Sequence, residues 1–265
     1  MKELKIIQQL KFSKILLIGD SCIDRYHFGT VDRISPEAPV PIFKILKTEN
    51  KNGMSLNVME NLLGLGSAVD IVTSEEEIIK ARYIDNKSKQ HIIRVDCGEE
   101  KRINPLTLEK IREIDFKKYD ALIISDYNKG FITHNNVKEI LKKTEGIPVF
   151  VDTKKTNLSC YENCILKINE KENINAIKFP KNYSLIVTLG EKGAKYENKI
   201  YPTKKVEVFD VCGAGDTFIS ALCSYYIVTK NMIDSIKFAN KCAGFVVQKI
   251  GTYSIKEEDI HEICV

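Results

Sequence analysis

Short unbroken apolar runs, each closed by glycine or a polar residue, alternate along this chain with stretches of helical periodicity. Residues 14–19 form such a run ahead of Asp20, the pattern of a buried parallel strand whose carboxyl end faces a site. Similar runs at 69–72, 121–125, 148–152 and 185–189 predict further strands, with Asp126, Asp152 and Gly190 at their ends. Residues 206–209 predict another, ahead of Asp210. The helical spacing falls over 56–65, 135–143, 216–228 and 232–250. Alternation of this kind implies an α/β fold built on a mainly parallel central sheet flanked by helices, with ligands at the carboxyl ends of its strands. Some segments break the alternation. Residues 40–46 run around two prolines and read as an edge strand, while 81–84 and 91–96 read as strands joined by a polar hairpin loop at 85–90.

The 265 residues suffice for one large domain, and no repeat or low-complexity stretch marks a second, so a single domain over 1–265 is expected. No apolar run approaches a membrane span, and the amphipathic residues 1–10 lack a following cleavage site, which points to a cytoplasmic protein. A net charge of +4 spread among mixed charges carries no nucleic-acid signature, so neither nucleic acid nor membrane is an expected partner. Eight cysteines without a C-x-x-C pair read as reduced thiols.

The densest chemistry lies at Gly213-Ala214-Gly215-Asp216. The glycines permit a tight turn at a helix start, where unpaired N–H groups and the positive end of the helix dipole converge on an anion. A carboxylate in that turn can take a proton from a hydroxyl as a phosphoryl group arrives, which suits phosphoryl transfer to an alcohol. Spacing alone supports a glycine turn with an Asp cap equally well.

Asp210 to Asp216 resembles the C-terminal signature of the ribokinase, or pfkB-type, sugar kinases, with Cys212 where Thr is usual. Ile18-Gly19-Asp20-Ser21-Cys22-Ile23-Asp24-Arg25-Tyr26, followed by Arg33-Ile34-Ser35-Pro36-Glu37-Ala38-Pro39-Val40-Pro41, is similar to the heptose-7-phosphate kinases. These include the kinase half of bifunctional heptose kinase/adenylyltransferases. Ser125-Asp126-Tyr127-Asn128-Lys129-Gly130 and residues 243–252 extend the match over most of the chain. The resemblance implies a ribokinase-like fold with a small β lid drawn from segments near 24–47 and 81–97. It also implies ATP and Mg²⁺ as cofactors, and transfer of the γ-phosphoryl to the anomeric hydroxyl of a sugar phosphate, most closely heptose 7-phosphate.

By the same resemblance, Asp216 is the base, and the Gly213, Ala214 and Gly215 amides form the anion hole. Thr188, Gly190 and Gly193 match the T-x-G-x-x-G nucleotide loop, Asn240, Ala243 and Gly244 line the adenine pocket, and Lys154 faces a phosphate. Asn169 and Glu172 match an N-x-x-E element that positions magnesium through water, although the pair also reads as an Asn cap with a first-turn Glu. Asp20 and Asp24 are suited to sugar hydroxyls, and Gly53 and Asn57 align with a G-G-A-x-N stretch beside the sugar. Asp126 joins the substrate side, with Arg25, Arg33, Arg94 and Lys129 as candidates for gripping a phosphate.

The chain departs from the family pattern in places. Met54 replaces the second glycine of that stretch, which is expected to narrow or reshape the pocket. Residues 71–83 pass almost directly from one strand to the lid, with a short helix over 75–80 expected where the family has a helix and a strand. The shortening creates a sheet edge that needs covering by a partner or by charge. Dimerisation through the lid is implied by resemblance, and with Val265 following soon after the last motif, a separate nucleotidyltransferase is expected in the pathway. Other readings stay open: a kinase of another sugar in the same family, or a protein that binds sugar phosphate or nucleotide and turns over slowly.

Overall fold

In the computed structural model, which describes residues 2–100, 103–249 and 251–264, the strand Lys14–Gly19 (β1) is buried on both faces. Its alternating side chains divide between two cores. Ile15 and Leu17 join the cluster built on the long C-terminal helices, while Leu16 and Ile18 join the one on the opposite face. An even apolar run is what a strand covered on both sides requires.

After a short helix α1 (Lys2–Gln9) and β1, the chain forms β2 (Ser21–Ile34), β3 (Pro41–Met54), α2 (Ser55–Gly64), β4 (Ala68–Thr73), β5 (Ile79–Asp85) and β6 (His91–Cys97). The middle supplies α3 (Leu108–Glu113), β7 (Ala121–Asp126), α4 (His134–Lys143), β8 (Val149–Thr153), β9 (Cys164–Asn169) and α5 (Glu170–Asn175). It ends with β10 (Tyr183–Thr188), β11 (Ala194–Tyr196), β12 (Lys199–Tyr201), α6 (Ala214–Thr229), α7 (Met232–Val246) and α8 (Ile260–Cys264). The main sheet has eight strands in the order β12-β11-β10-β9-β8-β7-β1-β4, parallel except for the β10-β11-β12 meander. Register aligns Gly19 with Ser125, Ser125 with Asp152 and Asp152 with Lys167 along the carboxyl ends. A separate sheet, β3-β2-β5-β6, forms the lid, with β5 running parallel to β2.

Where 75–80 were expected to be helical, the chain is irregular as far as Ile78 and then enters β5. The Ile23 amide donates to the Ile78 carbonyl at 2.8 Å, which makes this stretch the lead-in to a lid strand. Glu76 is taken by the backbone and side-chain amides of Asn104, and Glu75 pairs with Lys110. These long-range partners outweigh the weak local preference of a Glu run for helix. The shortening does leave β4 at the sheet margin with β1 as its one neighbour. Residues 206–209 are not a strand either. The Phe209 and Asp210 amides both donate to the Val247 carbonyl, so the segment hangs from the end of α7, with Val208 and Phe209 exposed. Helix α7 ends at Val246 instead of running to 250, and Ile250 lies outside the described residues.

Candidate active site

Helix α6 begins at Ala214 with Gly213 as its N-cap in the left-handed region, at φ 80°. A Cβ on Gly213 would lie 2.6 Å from Asn57 Nδ2, so backbone conformation and packing both require glycine there. The Ala214 amide is drawn into the turn by the Val211 carbonyl at 3.3 Å. Of the three amides expected to face an anion, Gly213 and Gly215 therefore remain, and the Asp216 amide joins them; these have no partner among the described residues. Beneath the turn, a Cβ on Gly215 would lie 2.8 Å from Lys167 Nζ. Lys167 is buried and pairs with Asp152 at 2.6 Å, so a fixed cation backs the amides.

Asp216 is 5 % exposed. One carboxylate oxygen accepts from Tyr127 Oη at 2.6 Å, the other from Asn57 Nδ2 at 2.9 Å. Burial pushes the carboxyl up to about 6, opposed by these two hydrogen bonds and by Lys167. Asn57 is itself held by Ser254 and Asn61, so α2 and the C-terminal segment orient the Asp216 carboxylate together.

On one side of the base lies a cavity of about 550 Å³, within the range of small-molecule sites, and its wall includes Thr188, Gly190, Gly193, Asn240, Ala243 and Gly244. The side-chain amide of Asn240 donates to the Tyr201 carbonyl at 2.8 Å and so also ties α7 to β12. Asn169 and Glu172 form a reciprocal capping box at 2.8 Å in both directions, and Glu172 also pairs with Lys154. The cap reading of this pair is thus present in the structure. A magnesium ion usually keeps several waters and takes one or two carboxylates beside phosphates. Glu172 and Asp152, whose buried Oδ1 has no hydrogen-bond partner, fit such an arrangement on either side of Lys154. Among the described residues no group of three His, Cys, Asp or Glu could hold a bare ion.

On the other side, Asp20, just past β1, and Asp24, on β2 of the smaller sheet, are both buried. Asp20 Oδ1 has no partner, and burial together with nearby Asp126 pushes its carboxyl up to about 6. Asp24 accepts from Arg82 at 2.6 Å and from Thr252 Oγ1 at 3.2 Å. A Cβ on Gly53 would lie 2.8 Å from Asp24 Oδ2, so glycine lets β3 close against this carboxylate.

Several expectations need correction. Asp126 is fully buried and bonded by Lys155, Tyr161 and the Asn128 amide, so it orders the 126–130 turn instead of presenting a free carboxylate. Arg94, on exposed β6, pairs with Asp96 of its own strand, and Arg25 bonds Asn50 on the lid. Arg33 is exposed near the end of β2, and Lys129 pairs with Glu99 at 2.7 Å. Met54 turns its side chain into the core, at the cost of φ 54°, instead of narrowing the pocket. Tyr127, Lys167, Lys80 and Arg82 were not singled out from sequence. Lys167, alone and charged at the end of an apolar run, was the one with a visible signal.

This architecture is shared with kinases. Ribokinase from Thermotoga maritima superimposes with a TM-score of 0.66 at 18% identity, covering 96% of this chain and 99% of that one. Phosphofructokinase-2 from Escherichia coli gives 0.72 at 15%, covering 95% and 98%. The fold is thus ribokinase-like. Residues 163–259 match the family described as pfkB family carbohydrate kinase. The chain is also 35% identical to the bifunctional protein HldE of Nitratiruptor sp. and 34% identical to that of Sulfurimonas denitrificans, over 94% of its own length in each case. With these matches, the chain carries a pfkB-type carbohydrate kinase domain. It spans 64% of the length of those two relatives. The Nitratiruptor alignment extends over 298 positions, more than the 265 residues present here, as an internally shortened chain requires.

Proposed function

We propose that this protein transfers the γ-phosphoryl group of ATP to the anomeric hydroxyl of a sugar phosphate, with heptose 7-phosphate as the preferred acceptor. The observation that carries the reading is Asp216 at the mouth of unpaired α6 amides, between the cavity and the buried Asp20 and Asp24. The acceptor follows from the likeness of the 33–41 and 125–130 segments to heptose-7-phosphate kinases and from the HldE relatives.

In this mechanism Asp216 accepts the sugar hydroxyl proton as the new O–P bond forms and the bond between the γ-phosphorus and its bridging oxygen breaks, releasing ADP. Proton acceptance contributes ~10²–10⁴-fold. The Gly213, Gly215 and Asp216 amides, backed by Lys167, hold the charge that spreads over the transferring oxygens, and removal of one such donor typically costs ~10²–10³-fold. Asp20 and Asp24 fix the sugar by its hydroxyls. Thr188, Gly190, Gly193, Ala243 and Gly244 hold the nucleotide, and Lys154 lies toward its phosphates. Magnesium, held through water by Glu172, Asn169 and Asp152, would neutralise phosphate charge. Any adenylyl transfer would fall to a separate nucleotidyltransferase, and the lid is the surface through which a homodimer would form.

The test is ATP consumption by purified protein with Mg²⁺ over a panel of sugar phosphates and free sugars. Selective turnover of heptose 7-phosphate is expected. Faster turnover of ribose or fructose would move the acceptor to a neighbouring branch. ATP binding without any turnover would replace the enzyme by a binding protein, a reading to which the Tyr127 hydroxyl already seated on the base lends support.

A further inference from the structure

Lys80 lies on β5, at the register position opposite Asp24 of β2. It is half-buried, and its ammonium stands over the Tyr127 ring, 5.7 Å from the centroid. The hydroxyl of that ring donates to Asp216. Lys80 thus connects to Asp216 through a single intervening side chain, Tyr127, whose ring Lys154 also approaches at 5.3 Å from the centroid.

Neighbouring cations are neutralised. Arg82 is held by Asp24 at 2.6 Å, Lys129 by Glu99 at 2.7 Å and Lys167 by Asp152 at 2.6 Å. Lys154 is paired with Glu172, and Lys155 with Asp126. Lys51 donates to the Thr252 carbonyl at 2.9 Å. The ammonium of Lys80 has no carboxylate, carbonyl or hydroxyl partner among the described residues. A half-buried cation loses hydration, and one aromatic face returns only part of it. An anion bound beside Tyr127 would satisfy such a charge.

We infer that Lys80 is the lid residue that recognises a phosphoryl group of a bound ligand, and so determines selectivity for phosphorylated over unphosphorylated acceptors. This rests on the phosphoryl-transfer reading above. The shared chemistry is a phosphate oxygen taking a charge-assisted hydrogen bond, whether it belongs to the acceptor or to the nucleotide. The role displaces Arg25, Arg33, Arg94 and Lys129, which are exposed or paired elsewhere.

The experiment compares wild type with Lys80→Met, which keeps an unbranched apolar stem, and Lys80→Arg, which keeps the charge. The measurements are KM for the phosphorylated acceptor, for the same sugar without its phosphate, and for ATP. Lys80→Met should raise KM for the phosphorylated acceptor by about tenfold or more, leave the free sugar and ATP unchanged, and be largely rescued by Lys80→Arg. A rise confined to KM for ATP would overturn the acceptor-selectivity role and assign the phosphoryl contact to the nucleotide. Unchanged KM values in a variant that melts like wild type would overturn it. A second arm needs no turnover: with ADP saturating, inorganic phosphate should raise the melting temperature of wild type but not of Lys80→Met. Equal protection of both proteins would sink the role of Lys80 while leaving the kinase reading intact. Loss of protection in Lys80→Met, in a protein that turns over no sugar, would do the reverse.

Discussion

Asp216 meets opposing demands. Burial keeps its carboxyl protonated up to about pH 6, while Tyr127 and Asn57 favour the ionised form that accepts a proton. Activity should therefore fall as pH drops through about 6. Tyr127→Phe removes one of the stabilising hydrogen bonds, so the acid limb of kcat/KM should move to higher pH; an unmoved limb would remove Tyr127 from contact with the base. For stability the sign is the reverse of the usual carboxylate case. The folded-state value lies above the unfolded value of 3.8, so the native state holds more protons between the two and stability declines across that window as pH rises. The penalty above pH 6 is on the order of 2–3 kcal/mol. Asp216→Asn should thus abolish turnover, keep nucleotide binding, and melt higher than wild type at pH 8 but not at pH 4. Catalysis and stability conflict at this residue.

At the scale of elements, the start of α6 shows how a short motif depends on its surroundings. The glycines and the acid are adjacent in sequence, and their spacing alone fits an anion site and an Asp-capped glycine turn equally well. What makes Gly213 indispensable is Asn57 from α2 pressing on its Cβ position. Gly213→Ala should cost about 1–3 kcal/mol in urea unfolding and lower kcat more than it raises KM for ATP, because the added methyl pushes Asn57 off the base. A wild-type kcat in this variant would contradict that coupling. Strands β1, β7, β8 and β10 were legible because a strand buried on both faces needs an uninterrupted apolar run. Residues 206–209 read as a strand but are bonded through the Phe209 and Asp210 amides to the Val247 carbonyl, and 75–80 are held by Asn104, Lys110 and Ile23. Local pattern could not register either fact.

For the molecule as a whole, shortening between β4 and β5 leaves an apolar strand on the margin of the main sheet, with Asp70 at its centre held by Lys14 and Tyr119 at 2.7 Å. A charge on an exposed edge discourages pairing with another chain. Asp70→Val should therefore increase self-association, measured by light scattering against protein concentration, and an unchanged monomer signal would show the edge to be protected otherwise. Among the described residues no helix is long and apolar enough to cross a membrane. The sequence by itself determined the alternating α/β layout and the Gly213–Asp216 turn, since each depends on residues close together in the chain. Only the tertiary structure decided which charges are spent and which are free. Arg82 and Asp24 are 58 residues apart, and Tyr127 and Asp216 are 89 apart. Among the described residues Lys80 beside Tyr127 has no carboxylate or carbonyl partner, whereas Arg82, Lys129, Lys154, Lys155 and Lys167 have each found a carboxylate, a balance set by burial and long-range packing that no local pattern records.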